Sequence, residues 1–464
     1  MLGPVLGFAG LFLAVAFGEV RATQISSERG ELALTVYHEN VAFVLDRREV
    51  RLARGRELLA FREVPSSLVP ESLLVRDPDG NVVVRRERFA YDLGEREKLL
   101  SRYVGKSLEI VDRNPATGED RVLEAVLLQA SPEPVYRIGE EIHLGLPARL
   151  VLPPLPDLVV EPTVFVDVEA SRAGVERLDL SYLVEGIAWQ ADYSLLARDE
   201  EGELAVQATI RNGTELSYPA ARLELVAGEI RRGREPRIRA FGARMAEVSG
   251  GAASPRETPA GEFYLYAFPE PVDLPAADAV RLPLLESRKV PLRVRYYLER
   301  SGRFAVGESP VSPREEGVDY AVEIENTERA GLGLALPAGK VRVYTDSGGT
   351  LRFAGEDTVR ATARGGLFSV RPGKAFDVVA TRRQSDYKVL GRDSWETEWE
   401  VAIRNEKKKE VLVEVFEEVS HDWEVVSSTH PHEVVDARTI RFPVKVPAGK
   451  TKTLRYRLRV RARR

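Results

Sequence analysis

Leu180-Ser-Tyr-Leu-Val-Glu-Gly-Ile-Ala-Trp-Gln-Ala-Asp-Tyr-Ser-Leu-Leu196 is the stretch from which the fold is read. Trp189, Ala191, Tyr193 and Leu195 point one way, and Gln190, Asp192 and Ser194 the other. Tyr182 and Val184 alternate in the same manner ahead of Gly186. Period-two alternation with aromatic and β-branched residues around a glycine predicts a half-buried antiparallel hairpin. A return strand follows, with Leu204, Val206, Ala208 and Ile210 alternating against Ala205, Gln207 and Thr209 and closing on Asn212. The middle of the chain is therefore expected to be a β-meander with an aromatic seam.

The same grammar extends in both directions. Towards the N-terminus, Leu32, Leu34 and Val36 open a strand, and Leu52 to Phe61 reads as strand–turn–strand about Gly55. Asp79-Gly80 supplies a tight hairpin turn between Leu73 and Val84. Gly94 to Val104 is the one helical segment, with Leu99, Leu100, Tyr103 and Val104 at three- and four-residue spacing. Lys106 to Leu152 reads as a small barrel or an added sheet, and Pro153-Pro-Leu-Pro156 marks a boundary. Residues 231–261, rich in Gly, Pro, Ala and Ser, read as a mobile linker. The fold class expected is mainly β: several antiparallel sandwich or barrel-like domains and one short helix near 94–104. The domains expected are a leader at 1–22, an N-terminal β region at 24–156, a central β domain at 157–390 interrupted by the linker, and a C-terminal sandwich at 391–464.

Composition bounds the function. A chain of 464 residues is too long for a single core. The formal net charge of -5 argues against nucleic acid as a bulk partner. Cysteine is absent, which excludes disulfides, thiolate nucleophiles, cysteine-ligated zinc, iron–sulfur clusters and a lipidated N-terminal cysteine. Asparagine is confined to positions 40, 81, 114, 212, 326 and 405, and arginine, glutamate and proline abound, a composition seen in thermophiles and also in chains from GC-rich genomes. Met1 to Gly18 is apolar and uncharged, fitting a secretory leader cleaved after Gly18 or Ala22, or a retained anchor.

Three strands end alike: Val206, Ala208 and Ile210 before Asn212; Tyr320, Val322 and Ile324 before Asn326; Trp399, Val401 and Ile403 before Asn405. Half of the asparagines thus occupy one structural position, where a left-handed conformation and bonds to the downstream backbone suit a strand exit. Pro337-Ala-Gly-Lys340 and Pro447-Ala-Gly-Lys450 form a second echo. Related modules and convergent turn chemistry are both open.

The run Ser181 to Tyr193, then Ile210-Arg-Asn-Gly-Thr214 and Leu223-Glu-Leu-Val-Ala-Gly228, resembles the family called domain of unknown function 4139. Phe263-Tyr-Leu-Tyr266, Leu332 to Tyr344, Gly355-Glu-Asp357, Gly373-Lys-Ala-Phe-Asp377 and Asp422-Trp423 extend the resemblance in order. Val36-Tyr37, Asp46-Arg-Arg48 and Tyr103-Val-Gly-Lys106 are similar to the region that precedes this domain in family members. The resemblance implies a β-rich, often exported protein without an established activity, and it carries over no catalytic set.

Several residue groups are candidates for chemistry. His421, Asp422, His430, His432 and Asp436 would need to converge to bind a metal, and their spacing fits no standard zinc pattern. Glu356, Asp357, Lys374 and Asp377 offer paired carboxylates, or else two turns with a surface Lys–Asp pair. Gly105-Lys106-Ser107 mimics the end of a phosphate loop without its upstream glycine. Asp77, Asp79 and Asn81 imitate a calcium loop whose twelfth position is Arg88. Arg455, Arg457, Arg459 and Arg461 share a face of the last strand, expected to lie beside Glu414, Glu417 and Glu418 or to contact an anionic envelope polymer or lipid. No catalytic residue is assigned, and no cofactor or metal is expected. The reading is an exported envelope protein that binds or scaffolds, its partner an envelope polymer or protein. The alternative is a secreted peptide or glycan hydrolase using unidentified carboxylates.

Overall fold

The computed structural model describes residues 16–17, 20–21, 24–26, 29–113, 118–145, 149–198, 200–228, 256–260, 263–300, 313–347 and 349–462. Most of the expected leader and most of the expected linker lie outside these residues. The chain is mainly β, and Arg96–Ser101 is its α-helix among the described residues. Two compact units are formed, one from 1–189 with 210–280, the other from 190–209 with 281–464.

In the first unit, Leu32–Tyr37 and Val41–Leu52 sit centrally in an eight-stranded sheet that also holds Gly174–Glu185 and Tyr218–Ala227. Val41–Leu52 and Gly174–Glu185 pair antiparallel over their full length, from Val41 opposite Glu185 to Leu52 opposite Gly174. Arg256–Ala260, inside the expected linker, is instead an edge strand of this sheet, paired with Phe263–Ala267. Lys106 to Leu152 resolves as an added five-stranded sheet under the helix, with Leu100, Tyr103, Leu108, Ile110, Leu127 and Tyr136 as its own core. The helix is shorter than expected. It stops at Ser101, the turn beyond it breaks the helical phase, and Val104 is left 45% exposed.

The quoted stretch needs one correction. Gly174–Glu185 and Ile187–Arg198 do not form a hairpin but belong to different sheets. Buried positions run through Leu178, Leu180, Tyr182 and Val184, then through Ile187, Trp189, Ala191, Tyr193 and Leu195. The alternation slips by one residue at Gly186, whose φ of 94° takes the chain out of one pleat and into the next. The neighbour of Ile187–Arg198 is Glu201–Asn212, as the return strand predicted.

The second unit contains a nine-stranded sheet running from Asp422–Ser428 at one edge to Glu433–Val434 at the other. Phe442, second from one edge by strand, stacks on Tyr456, second from the other, with ring centroids 4.8 Å apart. The sheet therefore curls into a half-barrel around Leu298, Val318, Trp399, Val401, Val415, Phe442 and Leu458. The boundary expected at 390/391 lies inside the strand Leu367–Gly391, which pairs with Ser394–Asn405 from Val378 opposite Asn405 to Gly391 opposite Ser394.

The asparagine echo has a structural basis that differs from the one expected. Asn212, Asn326 and Asn405 are all buried, and none has a positive φ. Each side chain instead ties two segments together. Asn212 Nδ2 donates to the carbonyls of Leu216 (2.8 Å), Leu274 (3.4 Å) and Pro275 (2.9 Å). Asn326 Nδ2 donates to Leu334 (2.5 Å), Thr362 (3.3 Å) and Ala363 (2.9 Å). Asn405 Nδ2 donates to Lys409 (2.9 Å), Val446 (3.0 Å) and Pro447 (3.2 Å). Their Oδ1 atoms accept from the amides of Thr214, Gly333 and Lys407.

The remote turn is alike each time. Two positions past the second carbonyl come Ala277, Gly365 and Gly449, with φ of 51°, 77° and 63°. The strand that starts just beyond, Asp278–Pro291, Leu367–Gly391 or Lys450–Arg461, then lies beside the strand that led to the asparagine. The connecting strands also pair: Tyr218–Ala227 with Val272–Leu274, Gly339–Ser347 with Thr350–Val359, Val411–Glu418 with Thr439–Val446. One four-strand connectivity is thus repeated three times. The Pro-Ala-Gly-Lys echo is convergent: Gly449 has positive φ, whereas a Cβ on Gly339 would meet the Ala191 carbonyl at 2.2 Å.

Candidate functional site

Glu356 and Asp357 lie on the Thr350–Val359 strand, and Lys374 and Asp377 on Leu367–Gly391, rather than in turns. Their charges are taken up separately. Glu356 faces Lys340 Nζ (3.4 Å) and Arg342 Nε (3.7 Å). Asp357 accepts from the amides of Thr358 and Arg371, each at 2.7 Å. Lys374 Nζ donates to Asp319 Oδ2 and the Gly317 carbonyl, both at 3.0 Å, not to Asp377. Asp377 instead lies 3.5 Å from Lys407 Nζ. These pairings brace strands; they do not converge on a common point.

The histidines also serve the fold. His430 and His432 lie on the four-residue connection 429–432 between the two edges of the curled sheet. The Thr429 hydroxyl is 3.0 Å from His430 Nδ1, and burial, helped by Lys452, lowers the His430 pKa. His432 packs 6.0 Å from the Phe442 ring, and His421 meets Trp395 edge-on at 5.8 Å. Asp436 accepts from the amides of Arg438 (2.7 Å) and Thr439 (2.9 Å), which hold its carboxyl below the usual range. Among the described residues no three His, Asp or Glu side chains are grouped to hold a metal ion. Asp77 likewise caps its own hairpin, accepting from the amides of Asp79, Asn81 and Val82. Gly105 and Lys106 are the last turn before the Ser107–Arg113 strand.

The arginine face of the last strand is matched by neighbours other than those expected. Register places Arg455, Arg457 and Arg459 opposite Glu400, Glu398 and Glu396. Arg457 Nη2 reaches Glu398 at 2.9 Å and Asp386 at 2.7 Å, and Arg459 reaches Glu396 at 2.8 Å and Glu424 at 2.6 Å. Glu414 pairs with Arg295 and Arg441, and Glu417 with Arg382. Alternation fixes the face of a strand but not the identity of its neighbour, so the partners could not be read locally.

Two buried ionic networks had no signal in the sequence beyond the Asp46-Arg-Arg48 motif. In the first unit, Arg48 donates to Asp46 (2.7 Å) and to the carbonyls of Arg62 (2.6 Å) and Glu63 (3.3 Å), with both side chains fully buried. Arg29 lies 3.6 Å from the same Asp46 oxygen and over the Tyr218 ring at 4.7 Å. Burial pushes Tyr218 up to about 12, and burial with Tyr218 and Asp46 nearby drives Tyr182 well above its ordinary value. In the second unit, Glu417 meets Arg382, which also bonds Glu316 at 3.0 Å, and Arg300 lies 4.0 Å over the Trp399 ring. Burial raises Glu417 despite Arg382. Both networks run through otherwise apolar cores, with Asp46 and Glu417 fully buried.

What remains for recognition lies on the outside. Phe376 is 95% exposed, and Phe353 and Leu351 are 60% and 59% exposed, all on hydrogen-bonded strands of the second unit. Thr350–Val359 is an edge strand of its five-stranded sheet. In the first unit Ile142 and Leu144, 67% and 68% exposed, lie on another edge strand. Edge strands that carry large exposed apolar side chains are one kind of surface at which chains associate.

Fold and surface together define a predominantly β protein with ionic networks in its cores and apolar edge strands. The family described as Domain of unknown function (DUF4139) matches residues 178–464, more than half of the chain, and the chain belongs to that family. No curated protein matches it.

Proposed function

We propose that this chain is an exported envelope protein that acts by binding or scaffolding. The observation that carries this reading is the placement of Leu351 and Phe353 on an edge strand, where a second chain can add both backbone bonds and apolar contact. The separate pairing of Glu356, Asp357, Lys374 and Asp377 gives the hydrolase alternative no support. The apolar Met1 to Gly18 supports export.

Native cells fractionated by compartment test the reading. The chain is expected in the envelope fraction, shortened at its N-terminus, and in a cross-linked species that Leu351→Asp with Phe353→Asp abolishes. An unshortened, monomeric chain in the soluble interior contradicts it.

A further inference from the structure

The chain holds only 12 lysines against 55 arginines. Five of the twelve gather at one end of the second unit. Lys407, Lys408 and Lys409 form the turn after Asn405, and Lys450 follows the turn that Asn405 binds through Val446 and Pro447. Lys374 lies on the neighbouring strand, joined to the lysine turn where the Glu406 amide donates to the Asp377 carbonyl at 2.8 Å and Lys407 reaches the Asp377 carboxylate. The acids here are partly engaged: Asp377 by Lys407, Glu406 by Arg404 at 3.3 Å, Asp319 by Lys374. Glu410 stands at the far end of the turn.

Phe376, 95% exposed, lies two residues from Lys374 in the bulge between the paired residues Lys374 and Val379. Ala375 beside it is buried, and the pairs Lys374–Asp319 and Lys407–Asp377 flank it. An aromatic ring held out among flexible ammonium groups suits an anionic bilayer surface. The ring enters the headgroup–acyl boundary, and the exposed ammonium groups of Lys408, Lys409 and Lys450 meet lipid phosphate as point charges. Arginine would suit planar bidentate partners instead.

We infer that this Phe376–lysine end docks on an anionic lipid surface. The inference rests on the binding reading above and supplies its partner. It is tested by sedimenting the purified full chain with phosphatidylcholine vesicles and with vesicles containing phosphatidylglycerol. Binding is expected to the anionic vesicles, weakened about fivefold for each lysine removed in Lys408→Gln, Lys409→Gln and Lys450→Gln. Phe376→Ser is expected to weaken it at least tenfold and to leave thermal unfolding unchanged. If Phe376→Ser fails to fold, the variants of the exposed Lys408, Lys409 and Lys450 carry the test.

No sedimentation with anionic vesicles, or sedimentation untouched by the substitutions, overturns the inference. So does equal binding of wild-type and Phe376→Ser protein to heparin with no lipid preference, which marks a polyanion site. Vesicle failure with a persisting envelope complex sensitive to Leu351 and Phe353 removes this inference alone. A monomeric interior chain removes the binding reading itself.

Discussion

At the scale of the residue, the three asparagine clamps each tie a strand exit to a remote turn. Each carboxamide satisfies carbonyls that two turns would otherwise bury unpaired, and an unmade buried bond costs about 1–3 kcal/mol. Asn405→Ala is therefore expected to lower stability by about 2–4 kcal/mol in urea unfolding, the orphaned carbonyls adding to the lost side chain. Asn405→Asp is expected to be no better, because a carboxylate has no hydrogen to donate to Lys409, Val446 and Pro447. His38 offers a second residue-level test. It stacks on Trp189 with centroids 4.1 Å apart, and burial lowers its pKa below the ordinary 6.5. The folded state thus prefers the neutral ring. The associated stability is fully present above pH 6.5 and is lost as pH falls through the depressed folded value. His38→Gln is expected to flatten that slope, read as urea midpoint against pH between 7 and 5.

At the scale of the element, the Glu396, Glu398, Glu400 strand against Arg459, Arg457, Arg455 forms a charge ladder whose register is fixed by the core face behind it. The pairs are partly exposed and screened by water, so the ladder specifies alignment more than it stabilises. Glu398→Arg is expected to lower the urea midpoint slightly, and adding Arg457→Glu to restore most of the loss. An unrestored double variant shows that the two side chains are not coupled. Hydrogen bonds from Arg459 hold Glu396 below its ordinary pKa of 4.5, so this contribution is complete above pH 4.5 and is lost as pH falls through the lower folded value.

Much of this element level was legible in the sequence. The alternation of Trp189, Ala191, Tyr193 and Leu195 gave the buried face, and the asparagines marked three equivalent strand ends. The pairing of remote strands was not legible: nothing local says that Glu417 meets Arg382, or that Arg457 meets Glu398 rather than Glu414. The slip at Gly186 escaped because a one-residue phase change looks like continued alternation on either side of it.

At the scale of the whole molecule, one four-strand connectivity used three times yields sheets whose apolar sides are spent on their own cores, with Phe442 on Tyr456 marking the half-barrel's closure. The binding reading therefore places recognition at the edges of these sheets. The sequence showed the family and the β class, but edges and exposed faces exist only once strand order is known. Leu351 and Phe353 read locally as ordinary strand residues. The most direct measurement is photo-crosslinking in native cells from a benzoylphenylalanine placed at position 353, with position 175, whose Val175 is 53% exposed in the first unit, as control. A discrete adduct from 353 and none from 175 is the result predicted. Equal labelling at the two positions, or none at either, contradicts the claim that this edge binds a partner.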